Sequence, residues 1–197
     1  MLDDGLVHGT GGNFSVRCER GFIITPSGMD YRKLAPADLP LVSLDGRQLE
    51  GERRPSVESG LHREIYKRRP GICAVVHTHS LCASAASALR RPLPALLDNQ
   101  ALLFGKEIPC AEYAHIGTAE LAKNAAEALG EGSSVLLANH GSVCVAATLP
   151  VAAELAEMLE YFAKVYFMTQ SAGGGIALTE KETAEGRQLV KESYGQR

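Results

Sequence analysis

Short apolar runs, each bounded by turn residues, alternate along this chain with stretches of helical periodicity. Strands are predicted at roughly 14–19, 22–25, 40–44, 72–77, 134–139 and 142–147. Helices are predicted from Ser56 to about Arg69, from Ser80 to Leu89, from Thr118 to Gly130 and from Thr148 to about Ser171. This alternation predicts an α/β or α+β sandwich around a mostly antiparallel sheet.

The longest predicted helix carries a clear apolar stripe. The positions of this predicted buried face are Leu155, Leu159, Phe162 and Tyr166. Three glycines at 173–175 end the helix and form a hinge. Beyond them, Thr179 and Glu182 form a capping box for a last amphipathic helix.

Composition limits the partners that this chain binds. Its 197 residues fit one domain, 1–197, and 20 basic against 23 acidic residues give a net charge of −3. That balance has no basic excess for nucleic acid, and no apolar run has the roughly 18 residues of a membrane span. A small-molecule partner is therefore expected. The five cysteines include no CxxC pair, which predicts a cytoplasmic protein with buried, unreactive thiols.

Three histidines close two of the predicted strands. His77 and His79 end the run "AVVHTHS", so their side chains project from the same side of a strand. His140 ends the run "LLANHG", and the glycine after it allows a sharp turn of the backbone. Three imidazoles suit a catalytic zinc ion that keeps one position open for substrate. The alternative is that each histidine is an isolated polar residue satisfied by backbone groups.

Seven motifs occur in an order that is typical of one family. They are "GTGGNFSVR", "FIITPSGMDYRKL", "PSVESGLHREIY", "AVVHTHS", "IPCAEYAHIGT", "LLANHG" and the terminal "SYG". From residue 8 onward the chain resembles the class II aldolase/adducin family, and within it the L-fuculose-phosphate aldolase branch. The resemblance implies a three-layer α/β/α sandwich with a central, mainly antiparallel sheet. It also implies a homotetramer with zinc sites at the subunit interfaces.

The metal ligands that this resemblance implies are Glu58, His77, His79 and His140. Zinc is the expected ion, and manganese, cobalt or iron also suit imidazoles combined with a carboxylate. Glu58 falls in the first turn of the helix that Ser56 opens, where a carboxylate also offsets the helix dipole without any metal. His62 follows one helical turn later and is expected either beside the metal or in a surface or packing role.

The resemblance also implies a cradle for a substrate phosphate, made of Thr10, Asn13, Ser27, Gly28 and Ser56. Glycines let backbone N–H groups converge on an anion, and hydroxyl and amide groups complete an uncharged cradle. Alone, "GTGGN" is a weak signal, because it matches neither the P-loop nor the dinucleotide-binding pattern. Val57 replaces a second serine of the family, so weaker phosphate binding is expected.

The implied activity is cleavage of a small ketose 1-phosphate, of the L-fuculose 1-phosphate type, to dihydroxyacetone phosphate and an aldehyde. The bond between C3 and C4 breaks with zinc as Lewis acid, and Glu58 exchanges a proton with the substrate. Tyr194 matches a C-terminal tyrosine that the family supplies to the aldehyde oxygen from a neighbouring subunit. Asp98 lies at or near the position of a second family tyrosine. It is expected either to take part in proton transfer or, like Asn99, to have a capping or turn role.

The altered loop at Asp98 leaves related functions open. Metal-dependent sugar-phosphate epimerases, decarboxylases and dehydratases share the scaffold, so the fold alone does not separate them. A non-catalytic interaction module like the adducin head domain is the alternative from another class, and the presence of all four ligand residue types argues against it. The family's N-terminal helix is expected to be missing, because Met1 lies only eight residues before Gly9.

Overall fold

The computed structural model describes the backbone of residues 1–193 and the side chains of residues 1–189. The strands are β1 Asn13–Cys18, β2 Gly21–Ile24, β3 Leu41–Val42, β4 Gln48–Glu50, β5 Ala74–Thr78, β6 Leu93–Pro94, β7 Glu107–Ile108, β8 Cys110–Ala111, β9 Ser134–Leu137 and β10 Gly141–Ala146. The α-helices are α1 Ser59–Arg68, α2 Leu81–Ala88, α3 Asp98–Phe104, α4 Ala119–Leu129, α5 Leu149–Gln170 and α6 Glu180–Ser193.

Eight of these strands form one sheet in the order β4-β3-β2-β1-β5-β10-β9-β8. The pairs are antiparallel except for β8 and β9, which are parallel. The short strands β6 and β7 form a separate antiparallel pair. The prediction of a central, mainly antiparallel sheet is confirmed.

Helices cover both faces of this sheet, and each face has its own hydrophobic core. In β5, Val75 belongs to the core that α1 and α4 complete, whereas Ala74 and Val76 belong to the core that α2 and α5 complete. All three side chains are fully buried. Because alternate residues of a strand point to opposite faces, one apolar strand supplies both cores. The chain is therefore a three-layer α/β/α sandwich, as expected.

The start of α1 differs from its prediction. The sequence predicts Ser56 as the N-cap, whereas α1 begins at Ser59 and Glu58 occupies the cap position. Ser56 still stabilises this segment, because its Oγ accepts a hydrogen bond from the Glu58 backbone N–H at 3.2 Å. The prediction that Glu58 lies in the first helical turn is therefore wrong by one position, because a polar turn precedes the helix.

Several other sequence signals are confirmed. The Thr118 side chain accepts a hydrogen bond from the Leu121 backbone N–H, and Gly130 ends α4 with φ of +49°. The Thr179 backbone N–H donates to the Glu182 carboxylate at 2.8 Å, as the capping box requires. The apolar stripe of α5 is buried at each of its four positions, Leu155, Leu159, Phe162 and Tyr166.

Several short strands and one short helix were not predicted from the sequence. The strands β6, β7 and β8 have two residues each, too few to show any period, and α3 has only seven.

The expectation of buried cysteines holds only for Cys144, and the other four cysteines are only partly buried. Among residues 1–193, no helix combines the length and the apolarity that crossing a membrane requires.

Leu159→Ala should lower the free energy of unfolding by about 2–5 kcal/mol, because Leu159 is fully buried in the middle of α5. The matched control is Met168→Ala on the same helix, where the side chain is 66% exposed. That control should change the free energy by less than about 0.5 kcal/mol. Urea denaturation measures both, and equal effects would contradict the burial of this face.

Candidate metal centre

The neighbouring strands β1, β5 and β10 bring three histidines to one end of the sheet. His77 lies in β5, where it pairs with Asn13 of β1 and with Val143 of β10. His79 follows the end of β5, and His140 lies in the turn that joins β9 to β10. Residues from three separate parts of the chain thus meet because the strands pair side by side.

Three imidazoles and one carboxylate converge at this end of the sheet. One potential ligand atom from each of Glu58, His77, His79 and His140 lies within 4.8 Å of the others. His77 Nε2 is 3.1 Å from Glu58 Oε2 and 2.9 Å from His79 Nε2. His140 Nε2 is 3.5 Å from Glu58 Oε1. The structure therefore brings together the four residues that the sequence analysis names as metal ligands.

Two buried polar atoms at this centre lack hydrogen-bond partners within the part of the chain that the structure describes. Among the described residues, neither Glu58 Oε1 nor His140 Nε2 has a hydrogen-bond partner, and a buried polar group in that state costs about 1–3 kcal/mol. A divalent ion would accept a lone pair from each of these atoms. Three nitrogen donors and one carboxylate oxygen are also the ligand types that zinc and related ions bind. The residues present therefore fit a metal ion.

A backbone hydrogen bond sets the orientation of His77. Its Nδ1 lies 2.9 Å from the carbonyl oxygen of Ser142, which can only accept. Nδ1 therefore donates to this carbonyl, and Nε2 is the ring nitrogen that faces the centre. Metal-binding histidines typically donate their second ring N–H to a carbonyl or carboxylate in this way.

Two glycines allow backbone segments to approach His77 closely. A Cβ at Gly12 would lie 2.6 Å from the carbonyl oxygen of His77, and a Cβ at Gly141 would lie 2.3 Å from that of Thr78. The left-handed residue of the turn before β10 is Asn139, with φ of +56°. The expectation that Gly141 makes the sharp turn is therefore wrong, because Gly141 is needed for space and Asn139 makes the turn.

Burial and neighbouring groups shift the pKa values at the centre. Burial by itself would raise the pKa of Glu58, but the hydrogen bond and charge of His77, with contributions from His140 and Asn13, lower it to about 2. Burial is the largest cause that lowers the pKa of His79 to about 4, and it also lowers the pKa of His140. These groups therefore have the deprotonated forms that metal binding requires at neutral pH.

A cavity of about 230 Å³ lies beside the centre. Its lining includes Glu58 and His79 and all five residues expected to bind phosphate, which are Thr10, Asn13, Ser27, Gly28 and Ser56. Val57 and Ile116 also line it, and their side chains are 62% and 58% exposed. The sequence motifs thus share one cavity, and phosphate binding there stays a prediction.

Of the two residues expected at the aldehyde end of the substrate, only Asp98 lies in the described part of the chain. Among the described residues that line the cavity, Asp98 is absent, and its side chain is exposed in the first turn of α3. Leu97 occupies the N-cap of α3, so Asp98 does not cap the helix, but its carboxylate offsets the helix dipole. Tyr194 lies outside the described residues, so its role stays a prediction.

A chain of buried polar residues next to Glu58 was not predicted from the sequence. Asn13 Nδ2 donates to Glu58 Oε2 at 2.8 Å, and Asn13 Oδ1 lies 2.5 Å from His62 Nε2. His62 Nδ1 is 2.6 Å from Ser15 Oγ, which is 2.8 Å from the Tyr66 hydroxyl. Residue spacing could have indicated this chain. Glu58, His62 and Tyr66 are four residues apart, the spacing of residues on one face of a helix, and Asn13 and Ser15 are two residues apart and share one face of β1.

Comparisons with known proteins agree with this architecture. Residues 1–167 match the family described as Class II Aldolase and Adducin N-terminal domain. The chain is 40% identical over 201 residues to 5-deoxy-D-ribulose 1-phosphate aldolase of Bacillus thuringiensis serovar kurstaki, covering 100% of this chain and 92% of that protein. It is 38% identical over 194 residues to L-fuculose phosphate aldolase of Escherichia coli O6:H1, covering 98% and 89%.

A solved structure of an L-fuculose 1-phosphate aldolase has the same fold. It superposes with a TM-score of 0.92 at 38% sequence identity, and the match covers 96% of this chain and 90% of that chain. The similarity to named aldolases thus extends over nearly the whole chain in both sequence and structure. The chain therefore belongs to the class II aldolase and adducin family, and it is an enzyme of the carbon–carbon lyase type.

Proposed function

We propose that this enzyme is a zinc-dependent aldolase that cleaves a small deoxyketose 1-phosphate to dihydroxyacetone phosphate and an aldehyde. The observation that carries the proposal is the convergence of Glu58, His77, His79 and His140 beside a cavity of about 230 Å³ with several hydroxyl groups in its lining. The names of both similar enzymes supply the substrate class, because 5-deoxyribulose and fuculose are ketoses that lack the terminal hydroxyl.

Each residue of the centre has a proposed part in this reaction. Glu58 and the three histidines hold the ion, which supplies Lewis-acid polarisation of the substrate carbonyl and the adjacent hydroxyl. Glu58 also accepts or returns a proton when its carboxylate leaves the ion, since Glu58 is among the residues that line the cavity. The phosphate occupies the cavity, where Thr10, Ser27 and Ser56 offer hydroxyl groups.

The aldehyde end is proposed to be completed by a neighbouring subunit in a homotetramer. Asp98 does not line the cavity of its own chain, so a part for Asp98 at this end would require a neighbouring subunit. Tyr194 is proposed to act on the aldehyde oxygen from the same direction. Aldehydes of different length would then be distinguished by residues outside the single-chain cavity.

Release of dihydroxyacetone phosphate tests the activity. The zinc-loaded enzyme should release it from 5-deoxy-D-ribulose 1-phosphate or L-fuculose 1-phosphate, followed with a coupled reductase and NADH. Treatment with a chelator should abolish the release, and added zinc should restore it, because the ion polarises the carbonyl. Conversion without dihydroxyacetone phosphate would indicate epimerisation, decarboxylation or dehydration, and the aldolase proposal would then fail.

The stability of the metal-free enzyme should fall as the pH decreases from about 6.5 to 5. Burial is the main cause that lowers the pKa of His62 to about 3, whereas an unfolded histidine has a pKa of about 6.5. The unfolded chain therefore binds a proton in this range that the folded chain does not. Each such histidine lowers the free energy of unfolding by up to about 1.4 kcal/mol per pH unit.

Urea denaturation of the metal-free enzyme at several pH values measures this slope. His62→Gln should reduce the slope, because glutamine does not titrate. His115→Gln replaces an exposed histidine and should leave the slope unchanged. An unchanged slope in the His62 variant would contradict the assignment of a neutral buried imidazole.

Val57→Ser should strengthen phosphate binding, because it returns a hydroxyl to the lining of the cavity. A hydrogen bond to a charged group contributes about 1.5–3 kcal/mol when buried. Val57 is 62% exposed, so a smaller effect is expected, about a threefold to tenfold decrease of KM. Steady-state kinetics measure it, with Val151→Ser on α5 as the control. An unchanged KM would show that the substrate phosphate does not reach this side chain.

A further inference from the structure

A buried chain of hydrogen bonds leads from the metal centre into the core between β1 and α1. The exposed fractions of its members are at most 4%, and the members are Asn13, Ser15, Glu58, His62 and Tyr66. At this depth each polar group must find its partner within the protein, because an unpaired buried group is costly. The direction of every hydrogen bond in the chain can therefore be assigned from donors and acceptors.

The Glu58 carboxylate sets the direction of the first hydrogen bond in this chain. An ionised carboxylate only accepts, so the NH₂ group of Asn13 must face Glu58 Oε2, at 2.8 Å. The carbonyl oxygen of the same amide then faces His62 Nε2. That oxygen can only accept, so Nε2 of His62 carries a proton.

The remaining protons follow from His62. A fully buried imidazole is neutral and has one N–H, so its Nδ1 is an acceptor and the Ser15 hydroxyl donates to it at 2.6 Å. The Ser15 proton is then used, so the Tyr66 hydroxyl donates to Ser15 Oγ at 2.8 Å. Every hydrogen bond of the chain thus points towards Glu58.

We propose that His62 is a positioning residue, which as the Nε2–H tautomer fixes the Asn13 amide so that Asn13 holds the Glu58 carboxylate in place for the metal. In the Nδ1–H tautomer, the lone pair of His62 Nε2 would face the carbonyl oxygen of Asn13, and both are acceptors. Rotating the Asn13 amide to relieve this contact would turn its oxygen towards the Glu58 carboxylate, which also only accepts. This inference rests on the proposed function, because it concerns the same centre. It also changes the expectation for Asn13, which keeps at most one side-chain N–H for phosphate.

Zinc affinity of three His62 variants tests this role. Chelator competition should show a loss of about 10–100-fold for His62→Leu and His62→Asn, the range that is typical when a group supporting a metal ligand is removed. His62→Gln should bind zinc within about threefold of the unchanged protein, because its longer amide can place an N–H where Nε2 lies. Asparagine is too short to do so, which makes the pair a matched comparison.

Two buried serines provide a further comparison. Ser15→Ala removes the donor that selects the His62 tautomer and should weaken zinc binding severalfold. Ser134→Ala removes a buried hydroxyl on β9 that donates to Cys144 Sγ, and it should leave zinc affinity unchanged. Long-range ¹H–¹⁵N spectra of the metal-free protein should show the His62 proton on Nε2.

The positioning role of His62 and the aldolase activity would be contradicted by different results. Unchanged zinc affinity in His62→Leu, or a His62 proton on Nδ1, would overturn the positioning role and leave the aldolase proposal intact. Should His62→Leu fail to fold, equal affinities of His62→Gln and His62→Asn would overturn it. No zinc binding by the unchanged protein would overturn the proposed function, and this inference with it.

Discussion

The register of β5 between β1 and β10 is the constraint on which the centre depends. It places His77 opposite Asn13 on one side and opposite Val143 on the other. A shift by one residue would turn His77 to the opposite face of the sheet, away from α1 and Glu58. The apolar residues of β5 fix this register, because Val75 and Val76 each fit only one of the two cores.

Much of the fold and of the centre could be predicted because the relevant signals are local. Strand alternation, the helix stripe and the capping residues act within a few positions of the chain, and the histidines stand where strands end. Glu58 was predicted as a metal ligand only from the motifs that resemble a known family. Its position alone also suited a carboxylate that offsets a helix dipole. The mainly antiparallel character of the sheet is confirmed, but the order of its strands was not predicted, since no local signal specifies neighbours.

The remaining features depend on contacts between distant segments. His62 lies four residues after Glu58, but its partners Asn13 and Ser15 lie 49 and 47 residues away along the chain. The sequence therefore left His62 between two roles, and only the packing of α1 on β1 brings its two nitrogens against opposite partners. Asn139 shows the same limit, because its left-handed backbone could not be distinguished from a turn at Gly141.

The glycines at 12 and 141 have a consequence for engineering the substrate range of this enzyme. Any larger residue there would press on the main chain of β5, so mutant libraries aimed at new sugars should leave both positions untouched. Val57 and Ile116, by contrast, line the cavity and are largely exposed to solvent. Substitutions at these two sites would change the lining of the cavity without pressing on the strand that carries His77.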